Sequence, residues 1–295
     1  MSFADGAILL DKPKGISSHS ALGAAKRAFR GAKVGHSGTL DPFASGLLIV
    51  LVGRLTKLSD WITQLDKTYE AIFRFGTQTD TLDPEGEVIA SAPEPSRETI
   101  ERSMCGFVGT IQQTVPAYSA VHVDGERAYR RARAGEQVEL PERTVHIRDF
   151  TILDWTPPDL STRIQVSSGT YIRAIARDLG RECGSVAHVV ALRRTAVGPF
   201  TVEQATSGGD GLGSDHLLSA YDFLSRLSRF SRAIVDPDVA KTIRNGGLLM
   251  RTGIRFEDGA DPADGEPVAV FSDERRLLAV GSFESGRFRF RFVCG

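Results

Sequence analysis

A chain of 295 residues with 36 Lys+Arg against 37 Asp+Glu carries a formal net charge of -1, so it is not a strongly basic nucleic-acid binder and its bulk charge names no partner. Hydrophobic residues at 41% and charged residues at 25% are ordinary globular values, which exclude a disordered or fibrous chain. The length allows one large domain or two unequal ones.

The longest clean apolar run, residues 47–52 between Gly46 and Gly53, falls far short of the roughly 20 residues a membrane span needs. The first residues, Met1-Ser2-Phe3-Ala4-Asp5-Gly6, show neither a basic leader nor an apolar segment, so no membrane partner and a cytoplasmic location are expected. Cys105, Cys183 and Cys294 are scattered without a C-x-x-C pair, which argues against a disulfide framework and a cysteine zinc site.

In chain order, Ala7-Ile8-Leu9-Leu10 reads as a buried strand ended by the turn at Pro13 and Gly15. Ser17 or Ser18 then caps a helix whose apolar face is Ala21, Leu22, Ala25 and Phe29. Residues 47–52 read as a central strand, Leu55, Leu58, Ile62 and Leu65 repeat at helical spacing, and Tyr69, Ala71, Phe73 and Phe75 alternate as one buried strand face. Ser96 starts a helix through Ile100, Met104 and Phe107; strands are expected over residues 119–123, 145–155 and 163–167; a helix carries Ile172, Ile175, Ala176 and Leu179. The Gly-rich residues 207–214 read as a linker, followed by a helix over 217–227. From about Val235 short strands alternate with turns and end in Phe288, Phe290, Phe292. The pattern is α+β, with a mixed sheet and a small β-rich tail.

Unusual residues concentrate in Gly35-His36-Ser37-Gly38-Thr39-Leu40-Asp41-Pro42. Two glycines let backbone approach a ligand and Pro42 biases Asp41 away from helical geometry. From the residues alone, Asp41 is a nucleophile, a general base or a turn residue capping its own backbone. His36 is a ligand, a hydrogen-bonding wedge or a satisfied loop residue. No two histidines stand at metal-ligand spacing, and Asp80, Asp83, Glu85 and Glu87 read as a hairpin turn rather than a Mg²⁺ site. Neither G-x-x-x-x-G-K-[ST] nor G-x-G-x-x-G occurs, which removes the usual phosphate-cradle enzymes. A second cluster, Ser167-Ser168-Gly169-Thr170-Tyr171-Ile172-Arg173, sets Tyr171 near a helix start with Arg173 able to reach a carboxylate; a core tyrosine and a solvated arginine are the alternative.

Several of these stretches together resemble the TruB family of tRNA pseudouridine synthases: Asp11-Lys12-Pro13 with Gly15 and Ser17-Ser18, the run from Gly35 to Pro42, Lys67-Thr68-Tyr69, Gly76-Thr77-Gln78-Thr79-Asp80-Thr81, Tyr118-Ser119-Ala120-Val121, Gly169-Thr170-Tyr171-Ile172-Arg173-Ala174, and Ala187-His188-Val189 with Leu192-Arg193-Arg194. They occur in the family's order over about the first two hundred residues. The resemblance implies isomerisation of uridine 55 in the T-loop of tRNA to pseudouridine, by base flipping, glycosidic bond cleavage and re-attachment through C5, with no metal or organic cofactor. It implies Asp41 as the catalytic nucleophile, or as a helper of elimination at the ribose, Tyr171 as proton acceptor near C5, and Arg173 as the partner that keeps Asp41 ionised. It further implies that Tyr69 stacks on the flipped uracil, His36 holds the flipped state, Leu192 closes the apolar wall and Lys12 supports the site.

Guide-RNA-dependent relatives share the His-Ser-Gly-Thr-Leu-Asp-Pro run, but Gly15-Ile16-Ser17-Ser18 and the Gly76 to Thr81 run resemble the stand-alone bacterial branch, so no guide RNA and a monomer are expected. Residues 117–143 match that branch's insertion, where Arg127, Arg130, Arg131 and Arg133 would grip phosphates of the tRNA T-arm. The implied fold is the pseudouridine synthase fold over residues 1–232, with a central mixed, mainly antiparallel sheet, and a small PUA-like domain over 233–295 that resembles the actinobacterial variant. An RNA-binding or RNA-refolding protein without chemistry is the different-class alternative. Residues 1–60 hold eight Lys/Arg against four Asp/Glu and residues 163–194 six against two, whereas residues 78–104 hold seven acids against two bases and residues 255–275 the same. A basic active-site face and an acidic surface elsewhere are therefore expected.

Overall fold

A computed structural model describes every residue except 1–4, 120–121, 124–125, 128–139, 210, 253, 258, 260 and 295. Its first half runs β1 (Gly6–Lys12), α1 (Ser18–Ala21), α2 (Gly23–Ala28), β2 (Val34–Ser37), β3 (Ser45–Val52), α3 (Ser59–Thr63), β4 (Lys67–Phe75), β5 (Thr77–Thr79), β6 (Val88–Ser91), α4 (Arg97–Met104) and β7 (Gly109–Thr114). There follow β8 (His122–Val123), β9 (Glu126–Arg127), β10 (Glu142–Thr156), β11 (Asp159–Val166), α5 (Ile172–Glu182), β12 (Ala187–Val197), β13 (Phe200–Thr201), β14 (Thr206–Ser207), β15 (Leu218–Ser219) and α6 (Ala220–Ser225). The tail is β16 (Ser231–Val235), α7 (Pro237–Arg244), β17 (Arg255–Phe256), β18 (Pro267–Ser272), β19 (Leu277–Glu284) and β20 (Arg287–Val293).

The main sheet is ordered β14-β1-β3-β12-β4-β11-β10-β7, with β2 on β3, β13 on β12 and β15 on β1. Most neighbours are antiparallel, while β12 with β3 and β14 with β1 are parallel. All eight residues of β3 are buried, as its unbroken apolar sequence requires of a strand covered on both faces. β4 instead alternates, burying Lys67, Tyr69, Ala71, Phe73 and Phe75 and exposing Glu70 and Arg74. β3 and β12 approach so closely at Gly46 that a Cβ there would lie 2.3 Å from the Arg194 carbonyl oxygen; only glycine fits.

α5 lays Ile172, Ile175, Ala176 and Leu179 over one sheet face, against Tyr69, Phe73, Ile164, Val189 and Leu192. Each such large side chain contributes about 1.5–3 kcal/mol on burial. The other face holds Leu47, Ile49 and Leu51, and the tail's Phe271, Val280 and Phe292 pack into that same cluster. The tail sheet, ordered β17-β16-β18-β19-β20, is thus seated on the main sheet, and its far side closes over Ala240 and Ile243 of α7.

Several boundaries differ from the sequence reading. The first helix breaks at Leu22, which ends α1 and begins α2, at a join occupied by the weak helix former Gly23. The stretch expected as a linker over 207–214 joins two segments that both pair with β1, through Leu10 with Thr206, Asp11 with Ser207 and Ala7 with Leu218. The helix expected over 217–227 is confined to α6, residues 220–225, and of the strand expected over 119–123 the described residues carry β8, while 120–121 lie outside them. The expected division at 232/233 lies within β16, whose parallel pairing with β18 starts at Ser231, so the tail sheet begins at that residue.

Candidate active site

The Asp41 loop joins β2 to β3 and is pinned at three points. Ser18 Oγ donates to the Leu40 carbonyl at 2.9 Å and accepts from its N–H at 2.8 Å. The Gly15 N–H donates to the Pro42 carbonyl at 2.8 Å, and Lys12 Nζ, fully buried, donates to the Pro13, Ile16 and Pro42 carbonyls at 2.9, 2.8 and 3.4 Å. Arg194 holds the loop's start, donating from Nη2 to Gly38 O at 3.0 Å and from Nε to Leu47 O at 2.7 Å. Gly38 itself has φ +79°, a conformation natural to glycine.

Arg173, in the first turn of α5 and only 5% exposed, faces Asp41: its Nε lies 3.0 Å from Asp41 Oδ2. Nη1 donates to Thr81 O at 2.8 Å and Asp83 Oδ2 at 3.2 Å, and Nη2 to Tyr118 O at 2.9 Å. A single planar guanidinium therefore ties Asp41 to three other segments, a geometry an ammonium cannot reproduce. Burial pushes the Asp41 carboxyl above its ordinary value; Arg173 pulls it back, Asp83 adds to the rise and Lys12 opposes it. The resemblance implied that Arg173 keeps Asp41 ionised, and Arg173 does pull that way, but burial outweighs it.

Asp41, Tyr69, Tyr171, Arg173 and Leu192 line one cleft of about 530 Å³, together with Asp83, Lys67 and Arg194, within the usual range for small-molecule sites. Tyr69 comes from β4 and Leu192 from β12, where Leu192 lies beside Ala71; Tyr171 stands as the N-cap of α5. Lys12 lies behind the cleft as a clamp on the loop. His36, on β2 opposite Val50, is outside the cleft lining; its Nδ1 is buried without a hydrogen-bond partner among the described residues. Burial holds its imidazole below the ordinary value, helped by Arg194 and His19. Arg130, Arg131 and Arg133 lie outside the described residues, as does the side chain of Arg127, whose backbone pairs in β9 with His122. Among the described residues no three His, Cys, Asp or Glu side chains converge as metal ligands, and no helix is long and apolar enough to cross a membrane.

Four residues escaped the sequence reading as parts of the site. Asp83 reads locally as a turn acid, yet it is buried against Arg173. Gln113 gives no local signal; its partner, Tyr171, is 58 positions away. Lys67 and Arg194 had one, since each lies two positions from an inward-facing residue, Tyr69 and Leu192, and so faces inward. Lys67 Nζ donates to Leu65 O at 2.6 Å and to Thr63 O, and burial, with Arg194 nearby, lowers its amine to about 8.

The expected basic face is thinner than the residue count. Lys12, Arg173, Arg177 and Arg194 are buried, and Arg193 is paired with Asp11 at 2.7 Å. The exposed cations of these segments include Lys14, Lys26, Arg30 and Lys33, on the turn after β1 and around α2.

A loop-borne carboxylate in contact with a buried arginine thus shares one cleft with two tyrosines and a leucine, on a mixed sheet. Among solved structures, the chain resembles an H/ACA ribonucleoprotein bound to a substrate RNA containing 2′-deoxyuridine, with TM-score 0.72 and 22% identity over 98% of this chain and 84% of that one. It likewise resembles an archaeal box H/ACA Nop10–Cbf5 complex, with TM-score 0.72 and 23% identity over 99% and 86%. These likenesses speak for the fold. The model described as TruB family pseudouridylate synthase (N terminal domain) matches residues 26–172, and that of the tRNA pseudouridylate synthase B C-terminal domain matches 173–210. Proteins named tRNA pseudouridine synthase B are 43% identical over 288 residues in Burkholderia lata, covering 96% of this chain and 88% of the relative, and 41% over 289 residues in Burkholderia mallei, covering 96% and 94%. The chain belongs to the TruB family of pseudouridylate synthases, which are isomerases.

Proposed function

We propose that the chain isomerises uridine 55 in the T-loop of tRNA to pseudouridine, as a cytoplasmic monomer that needs neither guide RNA nor cofactor. The reading is carried by the 3.0 Å contact between Asp41 Oδ2 and Arg173 Nε at the cleft shared with Tyr69, Tyr171 and Leu192. Independence from a guide is supported by full-length identity of 41–43% to proteins named tRNA pseudouridine synthase B, against 22–23% to the ribonucleoprotein subunits.

The target base leaves the stack and enters the cleft, since chemistry at its glycosidic bond is otherwise out of reach. Tyr69 stacks on it, Leu192 covers its far side, and His36 props the vacated stack from β2. Asp41 attacks C1′, and the N1–C1′ bond breaks with its electron pair leaving on uracil. The base turns, C5 attacks C1′, and the Asp41 carboxylate departs with the pair it donated. The C5–H bond then breaks, its electrons restore the ring double bond, and the proton passes by way of Tyr171 Oη to solvent while N1 takes one up; the product is an isomer with no net redox change. An elimination route, in which the same carboxylate takes the C2′ proton and returns it, uses the same residues. Both need ionised Asp41, which Arg173 favours against burial. Arg127, Arg130, Arg131 and Arg133 neutralise T-arm phosphates, and the unit beginning at β16 is PUA-like.

Modification mapping of tRNA incubated with purified protein and no additive tests site, activity and guide independence together. Pseudouridine at position 55 is expected. Asp41→Asn is expected to abolish tritium release from C5-labelled tRNA while retaining binding. A fully active variant sinks the catalytic assignment, and turnover only with added guide RNA and partner proteins overturns the stand-alone reading.

A further inference from the structure

Tyr171 has a partner that neither the motif nor the fold class names. Gln113, on β7 and 1% exposed, brackets the Tyr171 main chain: its Oε1 accepts from the Tyr171 N–H at 2.8 Å and its Nε2 donates to the Tyr171 carbonyl at 3.1 Å. A carboxamide engaging the N–H and C=O of one residue fixes both peptide planes around that Cα, and hence the direction of its Cα–Cβ bond. Tyr171 needs this. As the N-cap of α5, with φ -101° and ψ 111°, it has extended geometry, and its side chain makes no cap hydrogen bond; its ring is left free to line the cleft.

The bracket is itself anchored. β7 pairs with β10 from Gly109 opposite Ile147 to Thr114 opposite Glu142, and Arg177 Nη2, one turn beyond Arg173, donates to Thr114 O at 3.0 Å. The neighbouring Gln112 faces solvent and bonds Thr144 across the strand pair, so alternation turns Gln113 alone inward.

We propose that Gln113 is a positioning residue for the reaction, fixing Tyr171 where it can relay the C5 proton. The proposal rests on the proton-relay reading of Tyr171. A displacement of about 1 Å in such a group costs on the order of a hundredfold in rate, because proton transfer requires hydrogen-bond reach.

The test uses full-length protein and tRNA carrying protium or deuterium at C5 of its uridines, under single-turnover conditions, with Gln113→Leu, Gln113→Glu, Gln112→Leu and Tyr171→Phe. Gln113→Leu is expected to lose on the order of a hundredfold in rate and to show an increased C5 isotope effect at unchanged tRNA Kd. Gln113→Glu keeps the acceptor for the Tyr171 N–H and is expected to recover part of the rate; Gln112→Leu is expected to match wild type. A purely structural role predicts loss in Kd or folded fraction with an unchanged isotope effect, and that result overturns the proposal. If Gln113→Leu does not fold, Gln113→Glu decides on the same readout. Wild-type rate and isotope effect in Tyr171→Phe remove the relay reading itself; a slowed Tyr171→Phe beside a Gln113→Leu of wild-type behaviour overturns only the bracket.

Discussion

Arginines in two regions of this molecule do opposite work. Around the cleft, Arg173, Arg177 and Arg194 are buried and spend their donors on main-chain carbonyls and carboxylates. On β20, Arg287, Arg289 and Arg291 are exposed, alternating with Phe288 and Phe292, which are buried. There Arg289 meets Glu284 at 3.2 Å with both side chains more than half exposed, and Arg291 lies 4.4 Å over the Trp61 ring. The first set is scaffold and the second is surface. A count of charges along the sequence adds them alike, so the excess near the catalytic motifs overstates the positive potential that an RNA meets. Buried cations also raise the stakes of substitution, because the partner left behind cannot be rehydrated.

The sharpest break of that contrast comes in the cleft. Asp41→Asn keeps the shape but removes the carboxylate on which the proposed mechanism depends, and a loss on the order of 10⁴-fold or more in single-turnover rate is expected, read by tritium release. Next comes Arg173→Lys. The ammonium keeps the charge but cannot contact Asp41, Asp83, Thr81 and Tyr118 together, so a loss on the order of 10²–10³-fold in kcat is expected, with tRNA Kd nearly unchanged. A KM effect alone would place Arg173 outside the chemistry.

The parts of the fold legible in the sequence are those whose signal is local. β3 and β4 show in their apolar run and their alternation, and the ordered motifs point to Asp41, Tyr69, Tyr171, Arg173 and Leu192, which one cleft brings together. What stayed hidden depends on distant partners. Asp83 looks like a turn acid until α5 delivers Arg173 to it, and Gln113 is one of two adjacent glutamines until Tyr171 arrives. The glycine-rich stretch looks like a linker because the pairing of Thr206 and Leu218 with β1 lies far back in the chain.

Lys67 sharpens the buried side of the comparison through pH. Its proton is bound below about 8 in the folded protein and below about 10.5 in the unfolded chain. Between those values the unfolded state carries the extra proton, so this side chain makes stability fall as pH drops from about 10.5 to about 8, and its contribution is flat below. The window corresponds to about 3 kcal/mol. Lys67→Met removes it. The difference in denaturant-unfolding free energy between wild type and variant should therefore change across pH 8–10.5, while the slopes from titrating groups common to both proteins cancel. A constant difference would mean that Lys67 is not held in the low-dielectric setting its burial implies.

The smallest effect belongs to β20. Arg289 and Glu284 form their 3.2 Å pair with side chains 67% and 58% exposed, where water already solvates both charges and salt screens their attraction. Holding two long side chains in one geometry costs rotamer entropy that offsets most of the remaining Coulomb energy. Arg289→Ala is expected to change stability by less than about 1 kcal/mol and to lose even that difference at 1 M salt. The side chain is largely exposed, while Phe288 and Phe292 of the same strand are buried, so the substitution removes little buried surface. A loss of several kcal/mol would show that the β20 arginines, like Arg173, are built into the structure, and the contrast between the two regions would fail.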